Sequence, residues 1–101
     1  MIPKYRITPR ARDDLNNIGR YTMQQWDKNQ RNIYLKKLDA RFEWLSENAL
    51  LGKHRADIQE GFYSFPQGEH VVFYLIRSEG IDIIGVPHKE MDILNYFTAM
   101  N

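Results

Sequence analysis

The stretch Val71-Val72-Phe73-Tyr74-Leu75-Ile76 is apolar at every position. As a strand it would present apolar side chains to both of its faces, because successive side chains alternate. Such a strand needs a covering layer on each side, which places it inside a sheet rather than at an edge. Six residues also fall far short of the roughly 20 that a membrane-spanning helix requires. Turn signals flank the run, Gln67-Gly68 before it and Glu79-Gly80 after it. Three strands are therefore predicted, over residues 62–66, 70–77 and 81–86, the last ending at Pro87.

The preceding half reads differently. Residues 4–8 alternate, with Tyr5 and Ile7 on one side, and predict a half-buried strand. Thr8-Pro9 opens a helix, since threonine can accept a backbone N–H and proline at the first helical position forfeits only an unpaired donor. Ala11, Leu15, Ile18 and Thr22 form its inward stripe. Gly19 interrupts that helix and points to an element packing close by. Asp27 with Gln30 supplies a capping box for a second helix, whose seam is Leu35, Leu38, Phe42 and Leu45. Trp26, Tyr34 and Trp44 lie beside the seam. Residues 48–57, with Gly52 and the cluster Lys53-His54-Arg55, read as a loop. Residues 91–100 predict a short final helix presenting Ile93, Leu94 and Phe97. The expected fold is one α+β domain: an N-terminal strand and an antiparallel helical hairpin packed on a small, mostly antiparallel sheet, with a short C-terminal helix.

Composition narrows the chemistry. The absence of cysteine excludes a disulfide framework, a thiolate nucleophile and a cysteine zinc site. The opening MIPKYRIT has no apolar signal core, so a cytoplasmic setting is expected. A formal charge of +1 hides an asymmetry: residues 1–55 hold 12 Lys/Arg and 6 Asp/Glu, residues 56–101 hold 2 and 7. The basic half fits an acidic partner, or else the two halves pair with each other.

There is no phosphate-binding glycine loop, nucleophile elbow or paired-histidine metal helix. His54, His70 and His88 are far apart in sequence, and neither a metal nor a cofactor is expected. Metal-free RNA cleavage would need cations on the phosphate and a proton-transfer group; Lys53, Arg55 and Arg77 are the candidate cations and His88 the acid or base. The plainer reading makes these solvated charges and a loop hydrogen bond. Tyr63, Phe73 and Tyr74 could offer a base-stacking platform, but alternating strand aromatics more often fill a core.

The order of motifs resembles the ParE branch of the RelE/ParE toxin superfamily over nearly the whole chain. The resemblance rests on Ala11-Arg12-Asp13-Asp14-Leu15, on Leu51-Gly52-Lys53, on the run from Glu60-Gly61-Phe62-Tyr63 through Ser64-Phe65-Pro66-Gln67-Gly68 to Glu69-His70-Val71-Val72-Phe73-Tyr74, and on Val86-Pro87-His88-Lys89-Glu90-Met91-Asp92. It implies the hairpin-on-sheet layout and a toxin that traps DNA gyrase on cleaved DNA, blocks replication and is neutralised by a ParD-type antitoxin. It implies no enzymatic step, no cofactor, no membrane and no sequence-specific nucleic-acid binding. The sister branch cuts messenger RNA on the ribosome, and that activity, or an inactive antitoxin-binding protein, is the alternative. Tyr63 stands where the family commonly has an arginine that in the sister branch helps hold phosphate, which weakens the nuclease reading. Pro87 replaces a residue that is usually aliphatic. The partner-binding residues expected on this basis are Trp26, Tyr34, Lys53, Arg55, Tyr63, Tyr74, His88 and Met91.

Overall fold

The computed structural model describes residues 4–25 and 27–98, apart from the side chains of 21–25. Strand β1 (Tyr5–Ile7) leads into helices α1 (Pro9–Gln25) and α2 (Lys28–Glu47). A 3-10 turn (Ala49–Leu51) then precedes strands β2 (Lys53–His54), β3 (Phe62–Gln67), β4 (His70–Arg77) and β5 (Gly80–Gly85), and helix α3 (Ile93–Thr98) ends the described chain. The strands form one sheet in the order β1-β5-β4-β3-β2, so β4 is its middle strand. β1 runs parallel to β5, with Tyr5 opposite Ile81, and every other pairing is antiparallel.

The caps read from the sequence form. Thr8 Oγ1 accepts the Ala11 N–H at 3.3 Å, and the Thr8 hydroxyl donates to the Ile83 carbonyl at 2.9 Å, which ties the start of α1 to β5. Asp27 accepts the Gln30 N–H at 2.8 Å. Caps of this kind contribute about 1 kcal/mol each.

The hairpin lays Ala11, Ile18, Leu38, Phe42 and Leu45 on one face of the sheet, against Val72, Tyr74, Ile81, Ile83 and Val86. Burying side chains of this size stabilises by about 1.5–3 kcal/mol apiece. Leu15 and Leu35 are partly buried against this core, and the Thr22 side chain expected in the stripe lies outside the described residues. Among the described residues, a Cβ at Gly19 would meet Leu35 Cδ1 at 3.8 Å, an ordinary contact, so α2 passes close by as expected.

The opposite face carries Phe62, Ser64, Phe73 and Leu75, because side chains on a strand alternate. There α3 sets the Phe97 ring 5.0 Å from Phe62 and 5.0 Å from Phe73. The middle of β4 is therefore covered on both sides as predicted: Val72, Phe73 and Tyr74 are all fully buried. Its far end is not, since Ile76 and Arg77 emerge to solvent.

Two expectations change. Residues 48–57 are not wholly a loop, because Lys53 and His54 pair with Ser64 and Tyr63 as an edge strand. In α3 the inward residues are Tyr96 and Phe97, while Leu94 is exposed. The Tyr96 hydroxyl donates to Asp14 and its carbonyl accepts Arg10 Nη2 at 2.8 Å, and a residue two positions away lies about 200° round the helix.

Candidate partner-binding surface

After β5 the chain turns back alongside the start of β4. Val71 N–H donates to the Pro87 carbonyl at 3.0 Å and Lys89 N–H to the Glu69 carbonyl at 2.9 Å, which sets His88 opposite His70. Pro87 takes part through its carbonyl, so its missing N–H leaves this register intact. The two imidazole rings meet edge to face, 5.4 Å apart. Sequence distance had separated these histidines; an antiparallel return strand brings them together.

Tyr34 reaches this corner from α2. Its hydroxyl lies 2.5 Å from His70 Nδ1 and accepts the Glu69 N–H at 3.1 Å. Gly68 makes the approach possible, because a Cβ there would stand 2.9 Å from the Tyr34 ring and hydroxyl, and its φ of 59° suits glycine in the turn. Burial, reinforced by the neighbouring His88, pushes the His70 pKa down from 6.5 to about 4, against weaker upward pulls from Glu69 and Asp14. Burial likewise raises the Tyr34 phenol. At neutral pH His70 is therefore uncharged, and its Nδ1 shares a hydrogen bond with the Tyr34 hydroxyl. His88 accepts the Glu90 N–H on Nδ1 at 3.2 Å, and its Nε2 lies 4.0 Å from Glu69. Glu69 also pairs with Lys89 at 3.1 Å.

Beside the histidines a cavity of about 230 Å³ opens between α1 and residues 86–91, with Asp14, Ile18, His70, Pro87, His88 and Met91 among its walls. Asp14 is already engaged, accepting the Val86 N–H at 2.9 Å and the Tyr96 hydroxyl. Burial and then Asp14 hold the Tyr96 phenol far above its ordinary range. The walls are thus mostly apolar, with Met91 exposed at the rim. A second depression of about 230 Å³ lies on α2, lined by Gln30, Ile33, Tyr34 and Lys37, where Ile33 is exposed. Both hollows can receive an apolar side chain next to a polar or charged one. Among the described residues no three His, Cys, Asp or Glu side chains converge in a way that could hold a metal ion.

The four residues considered for RNA cleavage do not assemble. Lys53 and Arg55 share the sheet face opposite the hairpin. Arg55 there donates to Asp57 through Nε and Nη2, both at 3.1 Å, and to Ser64 Oγ at 3.4 Å, with its guanidinium 5.4 Å from the Phe73 ring centre. Hydrogen bonding from Arg55 holds the Asp57 carboxyl below its usual range. Lys53 is exposed. Arg77 sits at the other end of β4 from the His70–His88 corner, seven residues and so roughly 23 Å away. It bonds Asp82 at 2.8 Å.

Tyr74 is also corrected as a surface residue. The Tyr63–Tyr74 register turns both rings towards the hairpin, stacked 5.7 Å apart. Tyr74 is fully buried, its hydroxyl donating to the Ala49 carbonyl at 2.6 Å. Tyr63 is half-buried, sandwiched between Tyr74 and the exposed His54 ring at 5.0 Å. Trp26 lies outside the described residues. Sequence reasoning met Asp14 and His70 only inside motifs and gave them no role at the site; it missed Tyr96, which no local pattern marks, and Asp82, which a lone acid in Ile81-Asp82-Ile83-Ile84 does mark.

Comparison with known proteins adds a lineage to this geometry. Residues 5–93 match a family model described as the ParE toxin of the type II toxin–antitoxin system parDE. The chain is 33% identical over 88 residues to "Toxin ParE1" of Caulobacter vibrioides, covering 87% of this chain and 91% of that one. It is 30% identical over 94 residues to "Toxin ParE1" of Mycobacterium tuberculosis, covering 92% and 96%. A solved structure described as a chromosomal ParDE TA system from P. aeruginosa superposes with a TM-score of 0.73 over 86% of this chain and 96% of that one. At 15% identity this likeness speaks to the fold.

Proposed function

Since the chain belongs to the ParE toxin family of type II toxin–antitoxin systems, we propose that it inhibits DNA gyrase by holding the enzyme on cleaved DNA, and that a ParD-type antitoxin neutralises it in the cytoplasm. The observation that carries this reading over RNA cleavage is the dispersal of the four nuclease candidates. Arg77 ends β4 while His88 lies across from its first residue, His70, and Arg55 is committed to Asp57 and Ser64. A poison of this kind makes and breaks no bond. It binds the cleaved state of the topoisomerase more tightly than the resealed one, and each tenfold preference shifts that equilibrium by about 1.4 kcal/mol.

Two surfaces suit the two partners. The hollow on α2, with exposed Ile33 beside Lys37, fits an acidic amphipathic antitoxin segment that seats one apolar side chain and pairs one carboxylate. The cavity beside His88 and Met91 remains for the target. The test is a reaction of purified protein, gyrase, ATP and supercoiled plasmid, stopped with detergent and protease. Linear plasmid that accumulates only when both proteins are present supports the proposal. Normal supercoiling without linear product refutes it and directs attention to ribosome-bound messenger RNA.

A further inference from the structure

The sheet face opposite the hairpin carries a second arginine site that the gyrase and antitoxin readings do not use. Asp82 lies on β5 with its side chain only 7% exposed, and two guanidiniums converge on it. Arg6, from β1, donates Nε to Oδ1 at 3.3 Å and Nη2 to Oδ2 at 3.5 Å; Arg77, from the end of β4, donates Nε to Oδ2 at 2.8 Å. Burial alone would raise the Asp82 pKa, but the hydrogen bonds and charges of the two arginines outweigh it and keep the carboxylate ionised below its usual range.

One carboxylate cannot use up two guanidiniums, which carry five N–H donors each. Among the described residues, Arg6 Nη1 and both Nη atoms of Arg77 donate to no protein acceptor. These side chains remain 77% and 55% exposed, on the rim of a cavity of about 450 Å³. The backbone beneath is fixed: Ile81 N–H donates to the Lys4 carbonyl at 3.0 Å, and a Cβ on Gly80 would overlap that same carbonyl.

We propose that Arg6 and Arg77, held side by side by the buried carboxylate of Asp82, form a binding site for the carboxylate of an acidic side chain on a protein partner. Planar guanidinium forks match carboxylates two N–H groups at a time, and a pre-set fork loses little freedom on binding. The charge count selects a carboxylate over a nucleic-acid backbone. Lys4 is paired with Glu47 at 3.1 Å, so Arg6 and Arg77 face Glu79 and Asp82 at the cavity with no excess of positive charge. Two guanidinium forks with spare N–H donors and no surplus charge suit a single carboxylate held by paired hydrogen bonds, whereas the phosphate track of a duplex would meet two acids. β1 is also the terminal strand of the sheet, so an extended peptide has a strand edge to follow beside the site.

The arginine Nε–H signals in nitrogen-15 NMR read this directly. An N-acetylated, C-amidated tetraglutamate peptide titrated into the full chain should shift the Arg6 and Arg77 Nε–H and the Gly80 amide saturably. The apparent affinity should fall at least fivefold in Arg77→Gln and in Arg6→Gln, and fall again as salt rises from about 50 to about 300 mM. Both side chains are largely exposed, so each single variant should fold, and the amide spectrum verifies it. No shift with the peptide overturns the proposal, as do shifts that persist unchanged in both variants. Shifts produced by inorganic phosphate or a DNA duplex but not by the peptide overturn it in favour of a phosphate ligand.

Discussion

Protonating His70 costs stability, and the size and pH range of that cost follow from its surroundings. Unfolded, the imidazole titrates near 6.5; folded, burial and His88 bring it down to about 4. The folded chain therefore binds fewer protons than the unfolded chain between these values. The His70 contribution is fully present above about pH 6.5 and is lost as pH falls towards about 4. Integrating the linkage from about pH 7 to about pH 4.5 gives a ceiling of about 2.4 kcal/mol. The ring is not fully buried, and solvent reaching it reduces the expected loss to about 1–2 kcal/mol. Carboxylates destabilise over part of the same range, so the measurement is a difference. Urea unfolding followed by tryptophan fluorescence is compared at the two pH values for the native chain and for His70→Gln, which cannot titrate. The stability gap between the two proteins should narrow by about 1–2 kcal/mol at the lower pH. The groups facing His70 are Tyr34, Glu69, His88 and Asp14. If the gap does not change with pH, or NMR finds His70 titrating near 6.5, the account of this corner is wrong.

Further predictions concern packing and charge. Gly52→Ala places a methyl 2.8 Å from Tyr74 Cζ and 3.0 Å from the Ser64 carbonyl; it should cost about 1–3 kcal/mol from overpacking, read as a lower urea midpoint. Among the described residues, a methyl at Gly19 meets an ordinary contact with Leu35, so Gly19→Ala should raise stability by about 0.5–1 kcal/mol through helix propensity; a loss would mean the helix is packed more closely there than 3.8 Å implies. Charge reversal at Lys53 and Arg55 together should weaken growth arrest or antitoxin affinity, checked by arabinose-induced expression and titration calorimetry on a variant whose circular dichroism is native. Unchanged arrest and unchanged affinity would remove that edge from both interfaces.

Much of the architecture could be read from local chemistry. Thr8-Pro9 and Asp27 with Gln30 announced two helix starts because capping involves residues only three apart. The apolar run in β4 revealed its central place because two-sided burial leaves a local pattern. β2 was illegible for the opposite reason: two exposed residues, Lys53 and His54, carry no alternation, and only pairing with Ser64 and Tyr63 makes them a strand. The candidate site followed the same division. His88 and Met91 stood out in a motif, but the meeting of His70 with His88 depends on a return strand that no spacing rule encodes. Arg77 was misplaced because its position in sequence does not say which end of the sheet it occupies. Tyr74 was misassigned to the surface because strand parity alone does not say which face the hairpin covers.

The parallel pairing of β1 with β5 has a consequence for how the protein comes into being. Tyr5 lies opposite Ile81, so the first strand leaves the ribosome 76 residues before its neighbour. At about 5–20 residues per second, it waits roughly 4–15 seconds with its apolar side chains unmatched. The Arg6–Asp82 pair and the bond from the Thr8 hydroxyl to the Ile83 carbonyl wait equally long. Every surface that depends on the β1–β5 pairing therefore waits until residues 81–83 have emerged, and a nascent chain stalled before residue 80 has no completed sheet to offer a partner or a target.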